Sequence, residues 1–247
     1  MSGNSLSTVF FFDSNGAKSG SNVFKREGFA TAQIFHRSSN SLAKVSIAGA
    51  VLAGAFVIWV AYRVNGGAFI TAVDIAKDQP VPFSHKHHVG DDGIDCRYCH
   101  TSVETSNFAG LPPTETCMSC HSNLWTNAEM LEPVRASYRT GESISWIRVH
   151  QLPDFVYFNH SIHVNKGIGC STCHGRVDTM PLMYKVNTLY MNWCVNCHRD
   201  PAKYIRPKSE VFNPQYETPA PNQDEIGPKL VADYKVQSLT DCVTCHR

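Results

Sequence analysis

The stretch that decides the reading is Cys96-Arg97-Tyr98-Cys99-His100. Its C-x-x-C-H pattern returns as Cys117-Met118-Ser119-Cys120-His121, Cys170-Ser171-Thr172-Cys173-His174, Cys194-Val195-Asn196-Cys197-His198 and Cys242-Val243-Thr244-Cys245-His246. The five copies consume all ten cysteines of the 247-residue chain. Two thiols three positions apart can reach both vinyl groups on one edge of a porphyrin as thioethers. The next residue is then carried beneath the iron, where its imidazole becomes the proximal ligand. The pattern reads as covalent attachment of five c-type haems. Zinc sites use C-x-x-C pairs in twos and need no histidine after each. A disulfide framework also fixes no histidine at a constant offset. A thioredoxin-like redox motif would occur once beside a βαβ pattern, which is missing here.

The remaining composition narrows the class. Apolar residues make up 43% and the formal charge is +1, from 22 Lys and Arg against 21 Asp and Glu. That balance fits neither a polytopic membrane protein nor a disordered chain, and it offers no basic field for nucleic acid. P-loop, nucleophile-elbow and dinucleotide fingerprints are missing from the sequence.

Lys44 and Arg63 bracket an uncharged run, VSIAGAVLAGAFVIWVAY, from Val45 to Tyr62. As a helix its 18 residues measure about 27 Å, close to the roughly 30 Å hydrocarbon core of a bilayer. Trp59 and Tyr62 near its end suit the interface. A signal peptide would begin nearer the N-terminus, so the run is expected to be an uncleaved anchor. Lys18, Lys25, Arg26, Arg37 and Lys44 precede it against Asp13 and Glu27, and the positive-inside preference puts residues 1–44 in the cytoplasm. Residues 63–247 are then exported, the side on which bacterial c-type haem attachment is known to occur. Ala50 and Gly54 would permit close helix contact, a weak sign of membrane partners. Beyond the span lie 17 basic and 19 acidic residues. Haem propionates would make that domain more acidic still unless arginines bury them, which favours a basic or metal-rich partner.

The exported part repeats itself. Phe83-Ser84-His85-Lys86-His87-His88 and Phe158-Asn159-His160-Ser161-Ile162-His163 both read F-[SN]-H-x-x-H, 11 and 10 residues before a haem motif. A second motif follows 21 or 24 residues after the first. Two two-haem modules, about 81–125 and 156–200, are expected, with a fifth haem at 242–246. Residues i and i+3 sit on neighbouring positions of a helical turn, so the paired imidazoles can serve two irons. The fold class is mainly α with long irregular segments: a multihaem cytochrome c domain on a single N-terminal transmembrane helix. About 34 residues per haem cannot wrap each macrocycle separately, so the haems are expected to form much of the core. Six of the thirteen prolines fall between Pro201 and Pro228, which predicts an extended strap.

The paired histidines resemble those of class III multihaem cytochromes c. That resemblance implies that His85 ligates the haem of Cys96 and Cys99, and His160 that of Cys170 and Cys173, while His88 and His163 cross to other haems. His100, His121, His174, His198 and His246 are the proximal ligands. For a fifth distal ligand His150 competes with Met180, Met183 and Met191, or with an open iron. His87 reads as a surface or propionate-bonding residue and His36 as merely polar.

With one anchor, five motifs, the two histidine pairs, the run WIRVHQLPDFVYF from Trp146 to Phe158 and the segment Met191–Arg199, residues 45–247 resemble the pentahaem cytochrome c component of bacterial alternative complex III. The resemblance implies an inner-membrane quinol:electron acceptor oxidoreductase. Its other parts would be an iron–sulfur subunit, a monohaem cytochrome and polytopic quinol-binding subunits, and the acceptor a periplasmic cytochrome c or terminal oxidase. A stand-alone anchored cytochrome relaying quinol electrons to a periplasmic reductase is the other reading. A pentahaem nitrite reductase-like enzyme is disfavoured, because that family attaches its catalytic haem through C-x-x-C-K and every motif here ends in histidine. Mass spectrometry of the isolated polypeptide should return the chain plus five haems; a chain carrying none would end the haem reading.

Overall fold

The computed structural model describes residues 34–246, together with the backbone of a short antiparallel pair, Phe11–Phe12 against Lys18–Ser19. The expected cytoplasmic segment therefore lies largely outside the described residues. The chain divides into a unit ending at Ile58 and a second from Trp59 to Arg247.

The helix that leaves the first unit runs Ser38–Gly66, 29 residues, or about 43 Å. It overruns the uncharged window at both ends, because Ser39 to Lys44 and Arg63 to Asn65 hold no breaker before the Gly66-Gly67 pair. The His36 imidazole meets the Ser38 hydroxyl at its start, 2.8 Å away. Among the described residues it is the one helix long and apolar enough to cross a membrane. None of its residues is buried, and Leu52 and Ile58 are each 71% exposed. Water would penalise so continuous an apolar surface, whereas lipid accepts it.

The second unit is mostly helical, in short pieces joined by irregular chain. Each attachment motif begins on a helical turn: Cys96–Cys99, Thr114–His121, Cys170–His174, Met191–Arg199 and Cys242–Cys245. Both histidine pairs also start on turns, Lys86–Asp91 and His160–Asn165. Among the described residues only eight apolar side chains are buried: Val81, Val103, Leu131, Val134, Val164, Met180, Ile205 and Val211. Six of them form two small clusters, one at Val81, Leu131 and Val134, the other at Val103, Val164 and Val211. A domain of this size ordinarily buries a far larger apolar core.

The sequence repeat becomes a reciprocal dock. The Lys86 amide, one residue after His85, donates to the Met180 carbonyl at 3.0 Å. The Ser161 amide, one residue after His160, donates to the Ser106 carbonyl at 3.1 Å. Met180 and Ser106 each lie six residues beyond a proximal histidine, His174 and His100. Each module thus seats its histidine turn on the loop that follows the other's first motif. Five residues past the first histidine the two copies differ. Gly90 lies against the Asp178 carbonyl with no room for a methyl group, whereas Asn165 sends its Nδ2 to the Glu104 carbonyl at 2.8 Å. Asp178 and Glu104 are themselves equivalent, four residues after His174 and His100.

The proline-rich segment is only partly the extended strap expected. Short 3-10 turns form at Pro201–Lys203 and Lys208–Glu210, and Gln223–Asp233 is an 11-residue helix with Pro228 inside it. Gly227, just before that proline, packs against the Ala202 carbonyl, a contact that pins the helix to the first turn. Ile205 and Arg206 have no exposed surface, so the segment is anchored and not a tether.

Gly90→Ala should lower the melting temperature of the haem-loaded protein, with a cost of about 1–3 kcal/mol for the forced separation of the docked turn. Gly49→Ala, where an added methyl meets nothing within 4 Å, should leave it unchanged. Equal melting of the two variants would mean that the dock relaxes freely.

Candidate haem-binding site

Local chemistry aims each imidazole. The Asp95 carboxylate accepts from the Arg97 amide at 2.8 Å and opens the Cys96–Cys99 turn, which sets both thiols on one side before His100. The His100 Nδ1 then reaches the Gly110 carbonyl at 2.7 Å, His121 Nδ1 that of Leu124 at 3.1 Å, and His246 Nδ1 that of Phe155 at 3.2 Å. The distal candidates do the same: His88 Nδ1 to Ser84 at 2.9 Å, His160 Nδ1 to Asn107 at 2.8 Å and His163 Nδ1 to Asn159 at 2.7 Å. An Nδ1–H spent on a carbonyl fixes the tautomer and leaves the Nε2 lone pair free for a metal.

The rings then fall into pairs. His88 and His121 have centroids 6.2 Å apart, and His163 and His198 6.1 Å. His160 and His174 lie 6.4 Å apart and nearly parallel, with an interplanar angle of 7°. Two imidazoles on opposite faces of one iron, each nitrogen about 2 Å from the metal, stand about 6 Å apart centre to centre. The phenylalanine of each repeat explains its place in the motif. Phe83 stacks on His88 and Phe158 on His163, both at 4.5 Å, and each meets its first histidine edge-on.

Burial disfavours the charged form of His85, His163 and His174. It pushes His174 down to about 3, with His150, His160, His100 and His85 adding to the effect, and His85 down to about 4, with His100 and His88 adding. His163 is lowered chiefly by burial, against the opposing Asn159 carbonyl bond. A neutral ring near pH 7 needs no deprotonation before it binds metal.

The donor set fits haem. His150 Nε2 is buried without a hydrogen-bond partner, a costly arrangement unless another group takes its lone pair. The ten cysteines are free of disulfides. Among the described residues no cluster of three or more His, Cys, Asp or Glu could hold a bare ion, as zinc would need, whereas a haem iron asks the chain for two axial ligands. The small polypeptide core leaves the apolar macrocycles to complete it.

The thiols give an order. Burial and then the Cys117 thiol push Cys99 up. Cys96 and Cys170 share a hydrogen bond that holds Cys96 down and Cys170 up. Cys173 is pushed up to about 12 by burial, with Cys197 and Cys194 adding, and Cys194 by burial and then Cys245. The motifs therefore neighbour one another in the sequence second, first, third, fourth, fifth.

The fifth distal position is less resolved. His150 lies 4.3 Å from the His174 ring, too close for both to ligate opposite faces of one iron. His246 has Phe155 beside it at 5.8 Å. Met180 is fully buried, Met183 half-buried and Met191 69% exposed. His87 lies on the surface near Asp91 and Asp92. Sequence reasoning missed Arg206, whose one sign was a cation set between Ile205 and Pro207, and it missed the carbonyl acceptors, which no side-chain pattern encodes.

Residues 156–247 match the sequence family described as cytochrome c7 and related cytochrome c. A 99-residue stretch is 40% identical to the multihaem cytochrome c subunit of a menaquinone reductase from Nitratidesulfovibrio vulgaris, over 40% of this chain and 46% of that protein. The match thus spans about half the length of that relative. The chain carries a multihaem cytochrome c domain, the kind that binds c-type haem and transfers electrons.

His163→Ala and His88→Ala should each remove one low-spin signal from the electron paramagnetic resonance spectrum of the oxidised protein and give a high-spin iron that binds cyanide. His87→Ala should leave the spectrum intact. An unchanged low-spin count in the first two variants would break the ring pairing.

Proposed function

We propose that this chain is the pentahaem electron-transfer subunit of a membrane quinol:electron acceptor oxidoreductase of the alternative complex III kind. It is held in the bacterial inner membrane by the helix containing residues 45–62, with residues 1–44 cytoplasmic and 63–247 periplasmic. The observation that carries the reading is the doubled ring geometry: two repeats set His88 against His121 at 6.2 Å and His163 against His198 at 6.1 Å. Bound haem supplies reversible one-electron chemistry without making or breaking a substrate bond.

The chain's own residues would tether the haems through the ten thiols and offer imidazoles to their irons. His85 and His100 serve the first haem, His88 and His121 the second, His160 and His174 the third, His163 and His198 the fourth. His246 would hold the fifth haem; the fifth distal ligand would be His150, whose ring stands beside His174 and whose buried Nε2 has no hydrogen-bond partner, or Met180, Met183 or Met191. With both ligands supplied by the chain, the haems would carry electrons and offer no open position to a substrate. The membrane end lies by the fourth motif: the Tyr190 hydroxyl, next to the Met191–Arg199 helix, donates to the Asn65 carbonyl at 3.4 Å, and Val73 bridges to Lys185. Electrons from quinol would join the row at its fourth motif and leave at the second, toward a periplasmic cytochrome c or terminal oxidase. The partners are an iron–sulfur subunit, a monohaem cytochrome and polytopic quinol-binding subunits.

A second reading runs the row in reverse, toward quinone, and is favoured by the menaquinone reductase to which the similar stretch belongs. Purification in mild detergent should retain the iron–sulfur and polytopic subunits; a lone pentahaem protein would favour the stand-alone relay. In the purified complex, His88→Ala should leave quinol reduction of the other haems intact and slow cytochrome c reduction at least tenfold. A variant in which quinol reduces no haem would place the membrane-side end at the second motif instead.

A further inference from the structure

A guanidinium stays charged in proteins, and burying it without an anion costs several kcal/mol. Arg206 has no exposed surface. Its hydrogen bonds all go to neutral oxygens: the carbonyls of Asn213 at 3.2 Å and Glu210 at 3.4 Å, and the hydroxyls of Thr172 at 3.0 Å, Ser171 at 3.2 Å and Thr218 at 2.5 Å. Its Nε–H is buried with no acceptor. The Tyr216 ring lies 5.0 Å from the guanidinium carbon, and burial draws the group down from its ordinary value. The other buried charge, Asp178, has its arginine, Arg176, at 2.6 Å. Glu210 is near enough to favour the charge, but its carboxylate accepts from the Asn213 amide at 2.7 Å, and the hydrogen bonds of Arg206 reach no carboxylate.

Next to it opens a cavity of about 630 Å³, whose charged walls are Arg206, Arg176 and Glu217 and whose other walls include Tyr204, Tyr216 and Cys197. Two guanidinium groups against one carboxylate leave it net cationic, and Cys197 belongs to the fourth attachment motif. Haem brings its own carboxylates, on the edge of the ring opposite its thioethers.

We propose that Arg206 and this cavity form a carboxylate site that takes a propionate of the haem tethered by Cys194 and Cys197. The inference rests on the haem reading of the motifs. Pairing with Arg206 keeps that propionate ionised, so the potential of the haem holds level across neutral pH. It also fastens the segment after the fourth motif to the third, through Ser171 and Thr172. Without the guanidinium, the half-buried carboxyl is raised toward neutrality. It then takes up a proton between about pH 7 and 5, which favours the reduced haem and raises its potential as pH falls.

The test is a spectroelectrochemical titration of the haem-loaded complex from pH 5 to 8, after mass spectrometry has counted the haems. A chain without haem overturns the underlying reading; full haem with a level profile in the variant overturns only this inference. In Arg206→Gln one potential should fall at pH 8 and acquire a pH dependence that wild type lacks, and it should belong to the low-spin signal lost in His163→Ala. A shift independent of pH would mean that Arg206 acts as a distant charge and holds no carboxylate. A wild-type potential that moves with added acetate would assign the site to a solvent carboxylate and overturn the propionate. Should Arg206→Gln fail to fold, Arg206→Lys keeps the charge and loses the fork. The redox-difference infrared spectrum should then show carboxylate bands displaced from wild type, and identical bands would overturn the assignment.

Discussion

An imidazole has one lone pair to give, and the whole second unit is arranged around which nitrogen offers it. Six of the histidines settle the matter by donating Nδ1–H to a main-chain carbonyl. That bond costs no side chain and ties ring orientation directly to backbone fold. Because the acceptors are carbonyls, the loops carrying them must be placed as accurately as the histidines. Burial reinforces the arrangement by suppressing protonation of His85, His163 and His174. With few fully buried apolar residues, the polypeptide is a frame around its tethering motifs more than a core in its own right.

The reciprocal dock turns a sequence repeat into a shared centre. Cys96 touches Cys170, and His174 feels both His100 and His85, so the first motifs of the two modules meet in the middle and the second motifs lie outward. Neither module completes this centre alone, since the loop that seats each histidine turn belongs to the other.

What the sequence disclosed followed from spacing. C-x-x-C-H and F-[SN]-H-x-x-H depend on neighbours within a helical turn, where distance along the chain and distance in space agree. Phe83 and Phe158 were visible in the repeat, and their stacking on the second histidine emerged only with the coordinates. The helix ends at Ser38 and Gly66 overran the uncharged window because no breaker stands between Ser39 and Lys44 or between Arg63 and Asn65; hydropathy marks a bilayer and not a helix boundary. The helix Gln223–Asp233 hid behind Pro228, whose penalty is offset by the packing of Gly227 on Ala202. Arg206 was illegible, since a buried arginine and a solvated one look alike until Gly169 is seen to lie where any side chain would strike the guanidinium.

Two docked copies alone would make a relay that reads the same from either end, with nothing in its layout to distinguish donor from acceptor. The fifth motif removes that equivalence. It joins the row beside Cys194, and it is strapped by the Val156–His246 bridge and by the hydrogen bond from the Tyr157 amide to the Cys245 carbonyl at 2.9 Å. An odd step added to a palindrome gives the molecule a head and a tail. Each terminus can then evolve its own partner without the change being mirrored at the opposite end.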